Sequence, residues 1–569
     1  MATKRNSGSS SDGAHAEYGK NEYVTQSGET PELAPDGGVI YKDHHHLHRG
    51  LKSRHITMIA IGGAIGTGLI IGTGKALAQS GPGSILISYT LTGLLVYIVM
   101  CALGEMAAWI PAGHGFAGYA TRFCDPALGF SLGWTYWFKY IITTPNQLTA
   151  SALIIQEWKS KDEVNPGVWI AVFLVVIICI NYFGVKFFGE FEFWLSSVKV
   201  VTIVGVILLS FLLAVGAGPT DATGFKYYKN PGGFKEYIAK GSSGRFFGFW
   251  SSFINAVFAY LGTELIGVTV GEAQNPRKTI PRAIKLTFYR ILFFYCLSVF
   301  FLGMLVPYND PKLLAANKQT AKASASPFVV AIRNANIRHL PGILNGCILL
   351  FTFSASNSDL YIASRTLYGL ADQGHAPKIF AWTDKRGVPV PALALSSCFC
   401  LLAMMNVSDD SITVFGYFVN LVSIFGLLTW VSILVTHIYF LKARKAQGLT
   451  DDKMPYVAPF GIWGSYIACF FCCLISLTKN FSVFTKGSYG SFDYKNFITG
   501  YLGIPLYLIM IFGYKFWHKT KGVKPHEADF YTGKDEIDRE EEAFLAYKAA
   551  HAGDKKGNWF YKTFVSWLF

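Results

Sequence analysis

The chain has 569 residues, of which 51% are hydrophobic, 16% aromatic and only 15% charged, with a formal net charge of +14. A soluble domain carries about a quarter charged residues, so this composition excludes a water-coated globule. The positive charge does not make a nucleic-acid groove, because the Lys and Arg residues fall mostly in short segments between apolar runs, where lipid headgroups are the natural partners.

Residues 1–49 are polar and rich in Ser, Gly and His, and they read as a disordered tail with no cleavable signal peptide. Apolar stretches long enough to cross a bilayer then recur. They lie near 56–78, 83–110, 127–155, 167–184, 191–215, 247–271, 285–306, 341–371, 391–406, 412–441, 462–482 and 498–517. The expectation is an all-α polytopic membrane protein of about twelve helices, each needing roughly 20 residues.

An even number of spans puts both ends of the chain on one side. Basic residues follow the sixth span (Arg277, Lys278, Arg282, Lys285) and the tenth (Lys442, Arg444, Lys445), which votes for cytoplasmic termini. The vote is weak, because Lys226, Lys229, Lys235, Lys240 and Arg245 crowd the opposite loop before the sixth span. After Trp517 the chain turns polar, with an acidic run at Asp535–Glu542 and an aromatic end, Trp559–Phe569, expected to pack on the inner face of the bundle.

The first span contains Gly62-Gly63-Ala64-Ile65-Gly66-Thr67-Gly68, and the sixth contains Ala259-Tyr260-Leu261-Gly262-Thr263-Glu264. Hydrocarbon offers no partner for freed backbone groups, so a spanning helix avoids such breaks unless they line a protected cavity. Each break opens a group of five spans, and breaks at matching positions point to a transporter built from inverted repeats with its substrate at the midplane. Amides around Gly66, Thr67 and Gly68 can meet a carboxylate at a half-helix N-terminus. Carbonyls around Tyr260 to Gly262 can accept from an ammonium group. A zwitterion satisfies both. The competing reading is glycines that merely permit close helix packing; it serves either cluster alone equally well, whereas the pair at matching positions favours a binding site.

From Lys52 onward the chain resembles the fungal amino-acid permeases of the amino acid–polyamine–organocation superfamily. The motifs that carry this are IGGAIGTGLIIGTG, LGEMAAWIP, GTELIGVTVGEAQNPRKTIPRAI and SASNSDLYIASRTLYGLA. PNQLTA (145–150), VNPGVWI (164–170), GVKFFGEFEFWLSS (184–197), ASPFVVAI (325–332) and DREEEA (538–543) are similar to the dicarboxylic branch, which takes up glutamate and aspartate. The resemblance implies a five-plus-five inverted-repeat (LeuT-like) core with discontinuous first and sixth helices, plus two additional helices. It also implies proton-coupled uptake at the plasma membrane, cytoplasmic termini and, through lysines of the N-terminal tail, contact with ubiquitin-ligase machinery. The expected organisation is a tail at 1–49, helices 1–5 in 50–216, helices 6–10 in 245–443, helices 11–12 in 461–518 and a tail at 519–569. By position, Gly66, Thr67 and Gly68 would hold the substrate carboxylate and Ala259–Gly262 its amine. Tyr260 departs from the residues common across the wider family.

Ionisable residues inside apolar spans are functional candidates, because each is costly there if unpaired. Lys199, about two turns into the fifth span, is expected to be the proton-linked group, against the alternative of a lysine that snorkels to the surface. Glu264, just past the sixth-span break, and Glu105, ending the second span, are further proton-coupling candidates; for Glu105 a structural ion partner is an equal reading. Arg365, toward the inner end of the eighth span, reads as a gate or packing residue.

Specificity is expected on the third span. General permeases of this family commonly carry a Glu two positions after the proline, whereas here Pro145-Asn146-Gln147 puts a neutral amide there, with Thr143 nearby. Lys139 occupies a commonly neutral position. Both departures favour an anionic side chain, but eight residues span roughly 12 Å of helix. Gln147 and Asn146 are therefore read as the local ligands and Lys139 as a long-range or mouth charge.

The expected function is proton-coupled uptake of acidic amino acids, with H+ as coupling ion, the bilayer as surroundings and no cofactor, metal or nucleic acid. A permease for neutral amino acids and an amino-acid sensor using the same pocket stay open as alternatives. A channel would need a repeated filter or a ring of like charges. An enzyme would need a convergent nucleophile, base or metal set, and neither His437 nor the tail cluster His44–His48 supplies one. The ten cysteines show no metal-ligand spacing.

Overall fold

The computed structural model describes residues 65–111, 115–160, 162–265, 276–317, 326–407, 411–485 and 492–550, with isolated positions 58 and 267. Every regular element among them is helical. In the first span the chain is non-helical at Ile65 and Gly66 and then enters a π-turn, α1 (Gly68–Gly72), continued by α2 (Thr73–Ser80). Then follow α3 (Pro82–Trp109), α4 (Gly115–Phe123), α5 (Pro126–Ile155), α6 (Pro166–Tyr182) and α7 (Val185–Ala214). The second group opens with α8 (Gly241–Ser251) and α9 (Phe253–Tyr260), which carry the sixth span to its break. It continues through α10 (Pro276–Arg290), the π-turn α11 (Ile291–Leu297), α12 (Ser298–Leu305), α13 (Pro327–Asn334), α14 (Leu340–Asp372), α15 (Val390–Cys400) and α16 (Ser411–Ala446). The last helices are α17 (Gly461–Thr478), α18 (Tyr494–Tyr501), α19 (Gly503–His518) and α20 (Lys534–Ala550).

Seven of the described helical stretches are long and apolar enough to cross a membrane unaided, and Pro166–Tyr182 and Val390–Met405 are shorter apolar helices. Of the other three expected spans, the first and sixth lie partly outside the described residues, and the third is α5, 30 residues long but lined with Thr, Asn, Gln and Lys. The polar α5 can afford this lining because it is enclosed, packing chiefly on α14 and α16. Its N-terminus shows why it starts where it does: the Asp125 carboxylate accepts from the Ala127 amide, and Pro126 occupies the first turn.

Lipid-facing helices look different. α7 leaves Trp194, Val201 and Leu208 well exposed, and α19 leaves Ile509, Phe512 and Phe516 so. These side chains repeat along one helical face, as a surface turned to acyl chains requires.

The C-terminal segment is docked rather than loose. Phe530 is fully buried, 5.2 Å from the Phe123 ring and 5.3 Å from Phe440, and its carbonyl accepts from the Trp109 indole at 3.0 Å. Arg122 bonds the Asp529 carboxylate at 2.9 Å, and Gln447 reaches the Ala528 carbonyl at 2.7 Å. The acidic run expected in this tail has a specific use, since Asp538 and Glu541 both pair with Arg277 at the start of α10. The aromatic end at 559–569 and the tail histidines lie outside the described residues.

Candidate functional site

The two breaks meet. A Cβ placed on Gly68 would stand 2.4 Å from the Ala259 Cα, a distance no side chain can occupy, so only glycine lets α1 lie directly on the end of α9. The sixth-span break has equally explicit geometry. Leu261 is extended (φ −61, ψ 141), Gly262 adopts φ 96, and a 3-10 turn follows at Thr263–Leu265. A left-handed φ is the second place where glycine is required.

Helix ends leave backbone groups without intrahelical partners. At the first break, Thr67 makes no side-chain cap, and its Oγ1 is buried without a hydrogen-bond partner. At the sixth, the Tyr260 carbonyl accepts from Thr263 Oγ1 at 2.8 Å and the Gly262 carbonyl from the Leu265 amide at 3.2 Å. Each of these oxygens has one lone pair already used. The Tyr260 ring points away from the break, stacked on Tyr295 at 4.2 Å and wedged against Gly93, so only its backbone can serve a substrate there.

α5 completes the enclosure. Pro145 removes one helical hydrogen bond, and nearby hydroxyls turn back onto their own helix: Thr143 to the Lys139 carbonyl (2.7 Å), Thr149 to Pro145 (2.8 Å) and Ser151 to Gln147 (3.0 Å). Gln147 Nε2 comes within 3.9 Å of where a Gly66 Cβ would sit. Both amide atoms of Asn146 and the Gln147 Oε1 are buried without partners. Buried polar atoms are nearly always satisfied, so several orphans around two helix breaks mark a place built to receive a polar guest.

The structure moves one predicted residue. Lys139 is not a mouth charge: it is 1% exposed and forms a contact ion pair with Glu264, whose side chain is 0% exposed. The Tyr136 and Tyr140 rings lie 5.1 and 4.7 Å from its ammonium, and Trp430 donates to the other Glu264 oxygen at 3.3 Å. The reason is the tertiary arrangement, which brings the Lys139 ammonium on α5 to the Glu264 carboxylate just past the sixth-span break. Compensated in this way, Lys139 presents the site with a dipole rather than a free positive charge. Thr143 sits one turn further along, its hydroxyl tied to the Lys139 carbonyl.

Lys199 does not snorkel. It is fully buried 3.6 Å from Glu192, two turns back on α7, and Glu192 also accepts from Ser354 of α14 at 2.5 Å and Ser196 at 3.2 Å. Glu105, itself fully buried, is a pin between helices: it accepts from His437 at 3.1 Å, Arg444 at 2.5 Å and the Ala458 amide at 2.9 Å. Arg365 lies over the Tyr361 ring at 4.6 Å, a packing contact one turn away on the same helix.

Two carboxylates were missed. Glu192 has a sequence signal, a glutamate seven residues before a lysine on one apolar helix face. Asp359 stands within SASNSDLYIASR on α14, 8% exposed, facing the Gln147 amide with Lys139, Lys199 and Glu192 as charged neighbours. Its intramembrane position was the signal; its neighbours come from other helices and could not be read from the chain. Among the described residues no group of His, Cys, Asp and Glu could hold a metal ion.

The sequence profile described as Amino acid permease matches residues 55–526. The "Dicarboxylic amino acid permease" of Saccharomyces cerevisiae is 54% identical over 544 residues, covering 94% of this chain and 88% of that protein. Two relatives at 39% identity are the "Lysine-specific permease" of the same yeast (89% of this chain, 82% of that one) and the "Proline-specific permease" of Emericella nidulans (88% and 90%). Among solved structures, a manganese transporter mutant from Eremococcus coleocola shares the fold at TM-score 0.52 and 13% identity, covering 82% of this chain and 93% of that one. The architecture is the five-plus-five inverted-repeat core with discontinuous first and sixth helices that the paired glycine breaks predicted. The meeting of those breaks, the orphaned polar atoms around them and the extent of the sequence match agree: this chain belongs to the amino acid permease family of membrane transporters.

Proposed function

We propose that the protein takes up acidic amino acids, glutamate and aspartate, together with protons across the plasma membrane, with both termini cytoplasmic. The observation that carries this reading is the position of Gln147, a neutral amide beside Gly66 where general permeases of the family carry a carboxylate. The relative at 54% identity bears the name dicarboxylic amino acid permease, which supports the same substrate class.

In this reading the substrate α-carboxylate meets the amides of Gly66, Thr67 and Gly68 at the start of α1, where helix polarity favours an anion. The α-ammonium is accepted by backbone carbonyls of Ala259–Gly262. Gln147 and Asn146 then face the side-chain carboxylate, which a glutamate at 147 would repel by about 4 kcal/mol at 4 Å and an effective dielectric near 20. Bringing one negative charge into an inside-negative cell costs about 2.3 kcal/mol per 100 mV. At least one proton is needed for neutrality and another to make the potential help. The buried pair Lys199–Glu192 supports a proton-binding element within reach of the site.

Labelled glutamate uptake in cells lacking endogenous uptake tests the reading, with excess neutral amino acids as competitors and the current recorded. Wild type should accumulate glutamate with an inward-positive current and resist neutral competitors. Gln147→Glu should lower glutamate uptake by about tenfold or more, and Lys199→Met should uncouple it from protons. Undiminished, proton-coupled glutamate uptake in both variants would overturn the site assignment.

A further inference from the structure

We infer that Asp359 is the proton carrier that faces the substrate, and that it shares one proton with the side-chain carboxylate of the bound acidic amino acid. This rests on the acidic-substrate reading above and adds the place where proton and substrate meet. Asp359 projects from the middle of α14, 8% exposed, and its Oδ2 is buried without a hydrogen-bond partner. Its other surroundings include the Gln147 amide, the group assigned to the substrate side chain. A substrate carboxylate at Gln147 therefore arrives next to an aspartate with an unused oxygen.

Charge accounting over the neighbours points the same way. On α5, Lys139 is held by Glu264, and the Tyr136 and Tyr140 rings stand beside it. On α7, Lys199 is held by Glu192. On α15, Cys400 is the titratable neighbour, and on α6 Asn181 bonds Asn357, two residues before Asp359. Both lysines thus have carboxylate partners of their own, which leaves Asp359 as the carboxylate in excess. Two carboxylates in one enclosed site do not both stay ionised, and the arrangement that removes the conflict is a single proton held between them. The proton enters from outside, forms an O–H bond to Asp359 or the substrate oxygen, and hydrogen-bonds to the other. It leaves for the inside when the substrate does, so Asp359 returns ionised. No net charge is added to the site by the pair of glutamate anion and proton.

The same geometry treats a neutral side-chain amide in the opposite way. Asp359 accepts from the amide N–H of glutamine most strongly when it is ionised, so glutamine needs no shared proton there. Wild type should therefore prefer glutamate at low pH and lose that preference as pH rises. It should carry one more proton per glutamate than per glutamine.

The test measures labelled uptake and proton flux for wild type, Asp359→Asn and Asp359→Ala, with glutamate and glutamine as paired probes. Asp359→Asn supplies a permanent amide donor, so glutamate uptake should lose its pH dependence and one proton per cycle while KM rises only a few-fold. Asp359→Ala leaves Gln147 without its partner, and the glutamate KM should rise about tenfold or more. If Asp359→Asn keeps the wild-type pH profile and proton-to-glutamate ratio, the inference is overturned and the acidic reading stands. If wild type itself does not take up glutamate, both fall together. Should the variants not reach the membrane, the wild-type comparison decides: equal proton counts for glutamate and glutamine, with no pH crossover, overturn the inference.

Discussion

Lys139 on α5 and Glu264, just past the break in the sixth span, form an ion pair in which neither side chain reaches solvent. Trp430 of α16 donates to the same carboxylate, so one buried charge pair ties three elements at the point where the chain leaves helical geometry. Such a pair is costly to assemble, because both charges are taken out of water, and more costly to break, because the survivor is left uncompensated.

The pair predicts a non-additive mutant series. Lys139→Met or Glu264→Gln alone should each destabilise the protein by about 3–5 kcal/mol. The double variant Lys139→Met/Glu264→Met should recover most of that loss. Thermal unfolding in detergent measures it, and a double variant no better than the singles would mean that the two side chains do not act as a pair.

Contact between the breaks predicts different outcomes at neighbouring glycines. Gly68→Ala drives a methyl into the backbone of Ala259, whereas Gly66→Ala meets only Gln147 Nε2 at 3.9 Å, an ordinary contact. Uptake should fall by about tenfold or more in Gly68→Ala, with protein still at the cell surface, and far less in Gly66→Ala. Equal activities would show that α1 and α9 do not need this approach for transport.

Glu105 predicts a stability effect without a pH effect on coupling. Glu105→Gln keeps the shape but weakens the bonds to Arg444, His437 and the Ala458 amide. A buried group losing charged partners costs about 1–3 kcal/mol. Unfolding should therefore occur at lower temperature while the pH profile of uptake keeps its midpoint. A shifted midpoint would restore Glu105 as a proton-coupling residue.

The docked C-terminal segment predicts acid sensitivity. Burial works against the ionised form of Asp538, but bonds from Lys534 and Arg277 outweigh it and hold the carboxyl below the usual range. Asp529 is likewise lowered, with burial opposed by the amides of Thr532 and Tyr531 and by Arg122. Since the docked pKa lies below the free one, docking gains stability above the ordinary aspartate value of about 3.9. That gain disappears as pH falls through the lower docked value. Protease protection of residues 520–550 should hold at neutral pH and drop in acid, and Arg277→Glu should lower it at neutral pH. Protection that ignores both would show that these ion pairs do not hold the segment.

Particular residues show how far the sequence reaches. The glycines at 66, 68 and 262 could be read directly, because a spanning helix tolerates a break only where it lines a cavity, and two breaks at matching positions name the architecture. The neutral amide at Gln147 was legible for the same kind of reason, as a local departure from a motif. Lys139 was misjudged because its partner Glu264 is 125 residues away, and charge along one helix does not reveal what another helix brings to it. Asp359 and Glu192 were present in quoted motifs yet carried no role until α5, α7 and α14 were set side by side.

By itself, then, the sequence determined a membrane-embedded helical carrier, the two places where its backbone opens, and the polar third span that faces them. These follow from the cost of exposing backbone and charge to hydrocarbon, which acts residue by residue along the chain. Only the tertiary structure decided which charges compensate one another. Electrostatic pairing depends on distances across helices, and those distances left Lys139 and Lys199 neutralised and put Asp359 opposite Gln147.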